Sequence, residues 1–83
     1  MIKLLALRYL GNGRYALEFS DGRAGVFDLG EYRAHRQGPL LAALDDAALA
    51  ARAFIDAGAM CWPHGLELPA QRLYELSVMR VAA

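Results

Sequence analysis

The chain has 83 residues and a mass of 9.1 kDa. A chain of that mass exposes roughly 13,000 Å² unfolded and about 4,900 Å² folded, so about 63% is hidden, enough for one small core and no second domain. Its 57% hydrophobic and 22% charged residues describe a globular chain rather than a disordered one, and nine Lys+Arg against nine Asp+Glu remove the electrostatic case for nucleic acid or an anionic membrane.

The first third reads as three strands. Residues 2–10 are rich in Ile, Leu and Tyr and stop at Gly11-Asn12-Gly13. Residues 14–20 alternate, with Tyr15, Leu17 and Phe19 on one face and Ala16, Glu18 and Ser20 on the other, which is the period of a half-buried antiparallel strand. Asp21-Gly22 is a two-residue hairpin signal in which both central positions favour positive φ. Residues 23–29 return, with Phe27 and Leu29 on one face and Val26 and Asp28 on the other. Two short turns in succession make a meander.

From residue 30 to 50 the pattern changes. Gly30 to Gln37 is charged, and Gly38-Pro39 breaks any helix there. Leu40, Leu41 and Leu44, then Ala47, Ala48 and Ala51, recur at helical spacing, with Asp45-Asp46 between them as a cap for a short following turn. One or two short helical pieces and a loop are expected. Residues 52–56 and 59–62 flank Ala57-Gly58 and read as a second hairpin, closed by Pro63 and a His64-Gly65 turn. Pro69 suits the first position of a helix, along which Leu73, Tyr74, Ser77, Val78 and Val81 follow a 3.6 period. The order is βββ, short helix, ββ, helix: an α+β fold over a single domain, residues 1–83.

A lone cysteine, Cys61, permits no internal disulfide and suits a reducing cytoplasm. The apolar start is cut by Arg8 before it reaches the roughly 7–15 residues of a signal core, and no stretch approaches the roughly 20 apolar residues of a membrane span. The chain therefore reads as mature, soluble and cytoplasmic. Cys61, His35 and His64 lack the spacing of a zinc site.

Five segments in order carry a resemblance. They are Phe19-Ser20-Asp21-Gly22, Val26-Phe27-Asp28-Leu29, Leu44-Asp45-Asp46, Trp62-Pro63-His64-Gly65 and Leu73-Tyr74-Glu75. Over about residues 2–76 the chain resembles the bacterial domain-of-unknown-function family numbered 2442. The resemblance implies a small α+β fold of the nitrosomonad N-terminal-domain-like type. It also implies members that stand alone or are fused to a helix-turn-helix domain, often encoded beside another small protein with a proposed toxin–antitoxin link. It brings no activity and no catalytic residue. His64 stands where the family usually has Asn, and Glu67 where it has Asp.

Asp28, Trp62, His64, Glu67 and Tyr74 form the candidate binding surface. A histidine beside carboxylates suits acid–base chemistry; the plainer reading is a surface turn histidine with carboxylates that cap or solvate. Cys61 and His64 would form a nucleophile pair only within hydrogen-bond reach, and a buried inert thiol beside Trp62 is the simpler alternative. Gly11-Asn12-Gly13 leads into a strand, so it is a turn and not a phosphate cradle. Tyr9, Tyr15, Phe19 and Phe27 could stack bases, against which stands core packing at period two. Arg33, His35 and Arg36 cluster either to meet an acidic partner or as a solvated loop. No catalytic, cofactor-binding or metal-ligating residue is assigned.

The expected function is a non-enzymatic protein-interaction module, antitoxin-like or regulatory. The alternative is a small-molecule or metal-binding protein with its site near the Trp-Pro-His-Gly turn. The expected partner is a second copy or a small protein from a neighbouring gene, with no membrane and no direct nucleic acid. A homodimer is suggested by the first strand, which is apolar on both parities: Ile2, Leu4, Ala6 and Leu10, but also Leu5, Leu7 and Tyr9. The Trp62 ring is expected to be buried with its N–H on an acceptor, and His64 to be turned outward near Glu67.

Overall fold

A computed structural model describes residues 1–78 and gives an α+β architecture of two small antiparallel sheets with short helices. Strands β1 (Leu4–Gly11), β2 (Arg14–Phe19) and β3 (Ala24–Asp28) form the expected meander, in the order β1-β2-β3. Asn12 and Gly13 make the first turn with φ of 53° and 75°, the pairing of positive φ values that matches the twist of a hairpin. The second turn differs from the two-residue form expected. Only Gly22 is left-handed there, because the Asp21 carboxylate accepts from the Arg23 N–H at 3.0 Å and holds Asp21 in a local turn of its own.

The double parity of β1 has its explanation within the strand. Its register against β2 shifts between Leu4 and Ala6 and again between Tyr9 and Gly11. Each bulge inserts one unpaired residue and flips the following side chains to the other face. Leu4 therefore points inward, Leu5 is left over and exposed, and Leu7 and Tyr9 point inward again.

The second sheet is β4 (Phe54–Asp56), β5 (Ala59–Cys61) and β6 (Glu67–Leu68), in that order. The first two strands are the expected hairpin, turned by Ala57 and Gly58 with φ of 51° and 79°. The third is an addition to that expectation: the chain reverses through Pro63–Gly65, and the Trp62 N–H donates to the Leu66 carbonyl at 2.9 Å, which returns two residues beside β5. The sheets are stitched together where the Leu4 N–H donates to the Gly58 carbonyl at 2.9 Å.

The region from residue 29 to 50 holds three short helices, α1 (Leu29–Arg33), α2 (Pro39–Ala42) and α3 (Ala47–Ala50), with a 3-10 turn over Ala43–Asp45. Strand β3 stops at Asp28 and not at residue 29, because the Asp28 carboxylate accepts from the Glu31 N–H at 3.2 Å and caps α1. No helix runs through Gly38-Pro39, as expected, and Pro39 also opens α2, since a proline is tolerated where its missing N–H has no partner to lose. Asp46 caps α3 as read, accepting from the Ala48 N–H at 2.9 Å. The last helix, α4 (Ala70–Ser77), starts one residue later than expected, with Pro69 as its cap in an extended conformation. The expected contact of Val81 lies outside the described residues.

One apolar cluster joins these parts. Tyr15, Leu17, Phe19 and Phe27 from the first sheet meet Met60, Trp62 and Leu68 from the second, with Leu41, Leu44 and Leu73 closing the sides. Helix α4 crosses the inner face of the first sheet at Gly25, where a Cβ would stand 2.7 Å from the Ser77 carbonyl oxygen. Among the described residues no helix packs on the other face of that sheet.

Candidate functional site

Trp62 follows β5, the central strand of its sheet, and is 2% exposed. Its indole N–H donates to the Ala50 carbonyl at 3.3 Å, and its ring meets Tyr15 edge to face with centroids 5.8 Å apart. His64 does not face Glu67. The turn carries its half-buried ring to the start of α2, where Nε2 lies 2.8 Å from the Leu40 carbonyl oxygen. A carbonyl only accepts, so Nε2 bears the proton, and Nδ1 is left buried with no hydrogen-bond partner.

Glu67 turns to Cys61 instead, with Oε2 3.8 Å from Sγ. Burial, then the nearby charges of Glu67 and Asp56, push the Cys61 thiol up from its ordinary value. It stays protonated at neutral pH, and the reactive thiolate is disfavoured. Tyr74 lies on α4, with its ring 5.1 Å from that of Phe19 in a T-shaped contact, and its hydroxyl donates to Asp21 Oδ2 at 2.5 Å. That bond pushes the tyrosine up and, with the Arg23 N–H, holds the Asp21 carboxyl below its usual range. Asp28, the cap of α1, is 3.7 Å from Arg14 Nε.

The five residues thus stand at separate places. Of them, Asp28 alone borders the cleft of about 230 Å³ between α1 and α4, together with Tyr32, His35, Arg36, Arg72 and Leu76. The basic cluster noted in the sequence divides: Arg33 pairs with Asp45 at 2.6 Å, while Arg36 stacks over the Tyr32 ring at 5.6 Å. Among the described residues no group of three or more His, Cys, Asp or Glu is placed to hold a metal ion, and no helix is long and apolar enough to cross a membrane.

A further surface, outside the five candidate residues, is the outer face of the first sheet. The inward parity of β2 takes Tyr15, Leu17 and Phe19 into the core. The outward parity, with its cross-strand partners, sets Ala6 beside Glu18, Arg8 beside Ala16, Ala16 beside Val26 and Glu18 beside Ala24. Val26 is 49% exposed and Leu5, at the first bulge, 64%. The alternation of Tyr15 to Phe19 was the available signal, because it fixes which residues must point away from the core.

No curated protein and no solved structure matches the chain. The family model described as "Protein of unknown function (DUF2442)" matches residues 4–78, from the first strand to the residue after the last helix, and the chain belongs to that family.

Proposed function

We propose that this domain is a non-enzymatic protein-interaction module that works through the outer face of β1-β2-β3. The observation that carries this reading is the composition of that face. Three alanines and a valine lie together where no element among the described residues covers them, while Leu4, Tyr15, Leu17, Phe19 and Phe27, on the opposite face, are each about 1% exposed or less. Small residues on a sheet face let another backbone or sheet approach closely, and an apolar surface bordered by charge is the usual make-up of a docking patch. The lone thiol suits a reducing cytoplasm. The family resemblance adds a small protein from a neighbouring gene as a partner class, with an antitoxin-like or regulatory role for this chain.

The alternative, a ligand or metal site at the Trp-Pro-His-Gly turn, has less support. The Trp62 N–H and the His64 Nε2–H are both engaged with backbone carbonyls. The test is binding of the purified chain to itself and to the product of the adjacent small gene, with Ala16→Arg as the comparison. Complex formation that Ala16→Arg abolishes, with melting unchanged, supports the module. A chain that binds neither polypeptide at about 100 μM contradicts it.

A further inference from the structure

We propose that the occupant of this face is the same face of a second copy, held by Arg8 of each chain against Glu18 of the other; this rests on the interaction reading above and names its partner. The face carries three arginine or glutamate side chains at its centre and edge. Arg14 is already matched within the chain, 3.7 Å from Asp28. Arg8 and Glu18 are in no ion pair among the described residues, where the pairs are Arg14–Asp28, Arg23–Asp21 and Arg33–Asp45.

Their placement is self-complementary. Arg8 sits opposite Ala16 and Glu18 opposite Ala6, so these four residues form a rectangle on the sheet with charges on one diagonal and alanines on the other. A two-fold axis lying in the contact plane along the Ala6–Ala16 diagonal carries Arg8 of one copy onto Glu18 of its mate, and does so twice. Isologous contacts require this property of a surface: what residue i does to j, j does to i. The alanines then meet alanines, which lets the sheets come nearer than the roughly 10 Å of ordinary face-to-face packing, and the arginine stems cover apolar surface as they reach across.

The same charges argue against other occupants. A wholly acidic partner satisfies Arg8 and strands Glu18, a wholly basic one does the reverse, and a desolvated charge without its mate is penalised. A partner must present both signs at the spacing of the diagonal, and the face itself does. Three strands at about 4.8 Å spacing offer a small patch, so the dimer belongs with the weak, reversible contacts of less than about 1,200 Å² in total.

The experiment is a charge swap read by sedimentation equilibrium, with thermal melting of each variant as the folding control. Arg8→Glu alone or Glu18→Arg alone sets like charges across the axis twice and weakens the dimer at least about tenfold. The double variant Arg8→Glu/Glu18→Arg restores the opposition and returns the dissociation constant to within about threefold of the parent. Should a reversed charge lower melting, Arg8→Gln and Glu18→Gln report the same loss in smaller measure, and the weakening follows added salt. A dimer indifferent to both single reversals, or not rescued by the double one, overturns the proposal. So does a parent that stays monomeric. If that monomer still binds the neighbouring gene's product in an Ala16→Arg-sensitive way, the second-copy inference alone has failed; if it binds neither, the interaction reading has failed with it.

Discussion

Tyr15 and Trp62 share one acceptor: the phenol hydroxyl and the indole N–H both donate to the carbonyl of Ala50, at 2.7 and 3.3 Å. Ala50 is the last residue of α3, where carbonyls lack an intrahelical partner, and it is buried. A carbonyl oxygen has two lone pairs, so it accepts both donors. One side chain comes from the first sheet and the other from the end of β5, so this single oxygen, with the edge-to-face contact of the two rings, fixes the sheets and the short helices in one arrangement.

Trp62→Ala removes the largest buried side chain from this junction and should cost about 3–5 kcal/mol, a large part of the stability of so small a domain. Trp62→Phe keeps most of the packing and leaves Tyr15 on Ala50, so the loss is expected to be smaller by about half. Denaturant unfolding of the two variants checks this. A Trp62→Ala protein that melts like the parent contradicts the junction.

Alkaline pH should destabilise the fold through Tyr15. Burial pushes its hydroxyl from 10.0 up to about 12. Below pH 10 the group is neutral in both folded and unfolded chains and its contribution is complete. Between 10 and 12 the unfolded chain ionises first, and stability is lost as pH rises, by about 2–3 kcal/mol in all. Cys61 and Tyr74, also pushed up, add to the same limb. Tyr15→Phe should lose about 1 kcal/mol at neutral pH and show a shallower alkaline limb. Equal slopes for the two proteins from pH 9 to 12 would sink the assignment.

Gly25→Ala should loosen α4. The added Cβ meets the Ser77 carbonyl oxygen at 2.7 Å and its carbon at 2.8 Å, both backbone atoms that cannot swing aside. Overpacking of this kind costs about 1–3 kcal/mol. Faster amide exchange confined to α4 and β3 is the expected signature, and a Gly25→Ala variant of unchanged melting and exchange refutes the close crossing.

His64→Asn should not be silent. The shorter amide cannot span from the turn to the Leu40 carbonyl, so a bond of 2.8 Å is lost, for about 0.5–1.5 kcal/mol. The amide of Ala42, bonded to the Gly38 carbonyl at 2.9 Å, should exchange faster as α2 loosens. No change in that amide would show that His64 does not tether α2.

The parts of this fold that were legible in the sequence are those set by local rules. Strict alternation from Tyr15 to Phe19 and the paired turn residues Asn12-Gly13 and Ala57-Gly58 place four strands. Asp46 and the burial of Trp62 follow from capping and from size. What was not legible depends on contacts distant in sequence. Two residues, Glu67 and Leu68, carry no period, and become a strand only because the Trp62 turn returns them to β5. The bulges of β1 are visible only against β2, so its two apolar parities read as an excess that needed a partner. His64 and Glu67 are three apart, but the turn between them sends one to Leu40 and the other to Cys61. The outer face of the first sheet was implicit in the same alternation that identified the core, and becomes a surface once α4 is seen to cross the opposite side.

Sedimentation equilibrium of the unmodified chain, from about 1 to 100 μM, decides whether the outer sheet face joins two copies. The mass should rise with concentration from 9.1 kDa towards twice that value, and the rise should be absent in an Ala16→Arg variant that melts like the parent. A mass that stays at 9.1 kDa throughout, or a rise that Ala16→Arg leaves untouched, would contradict it.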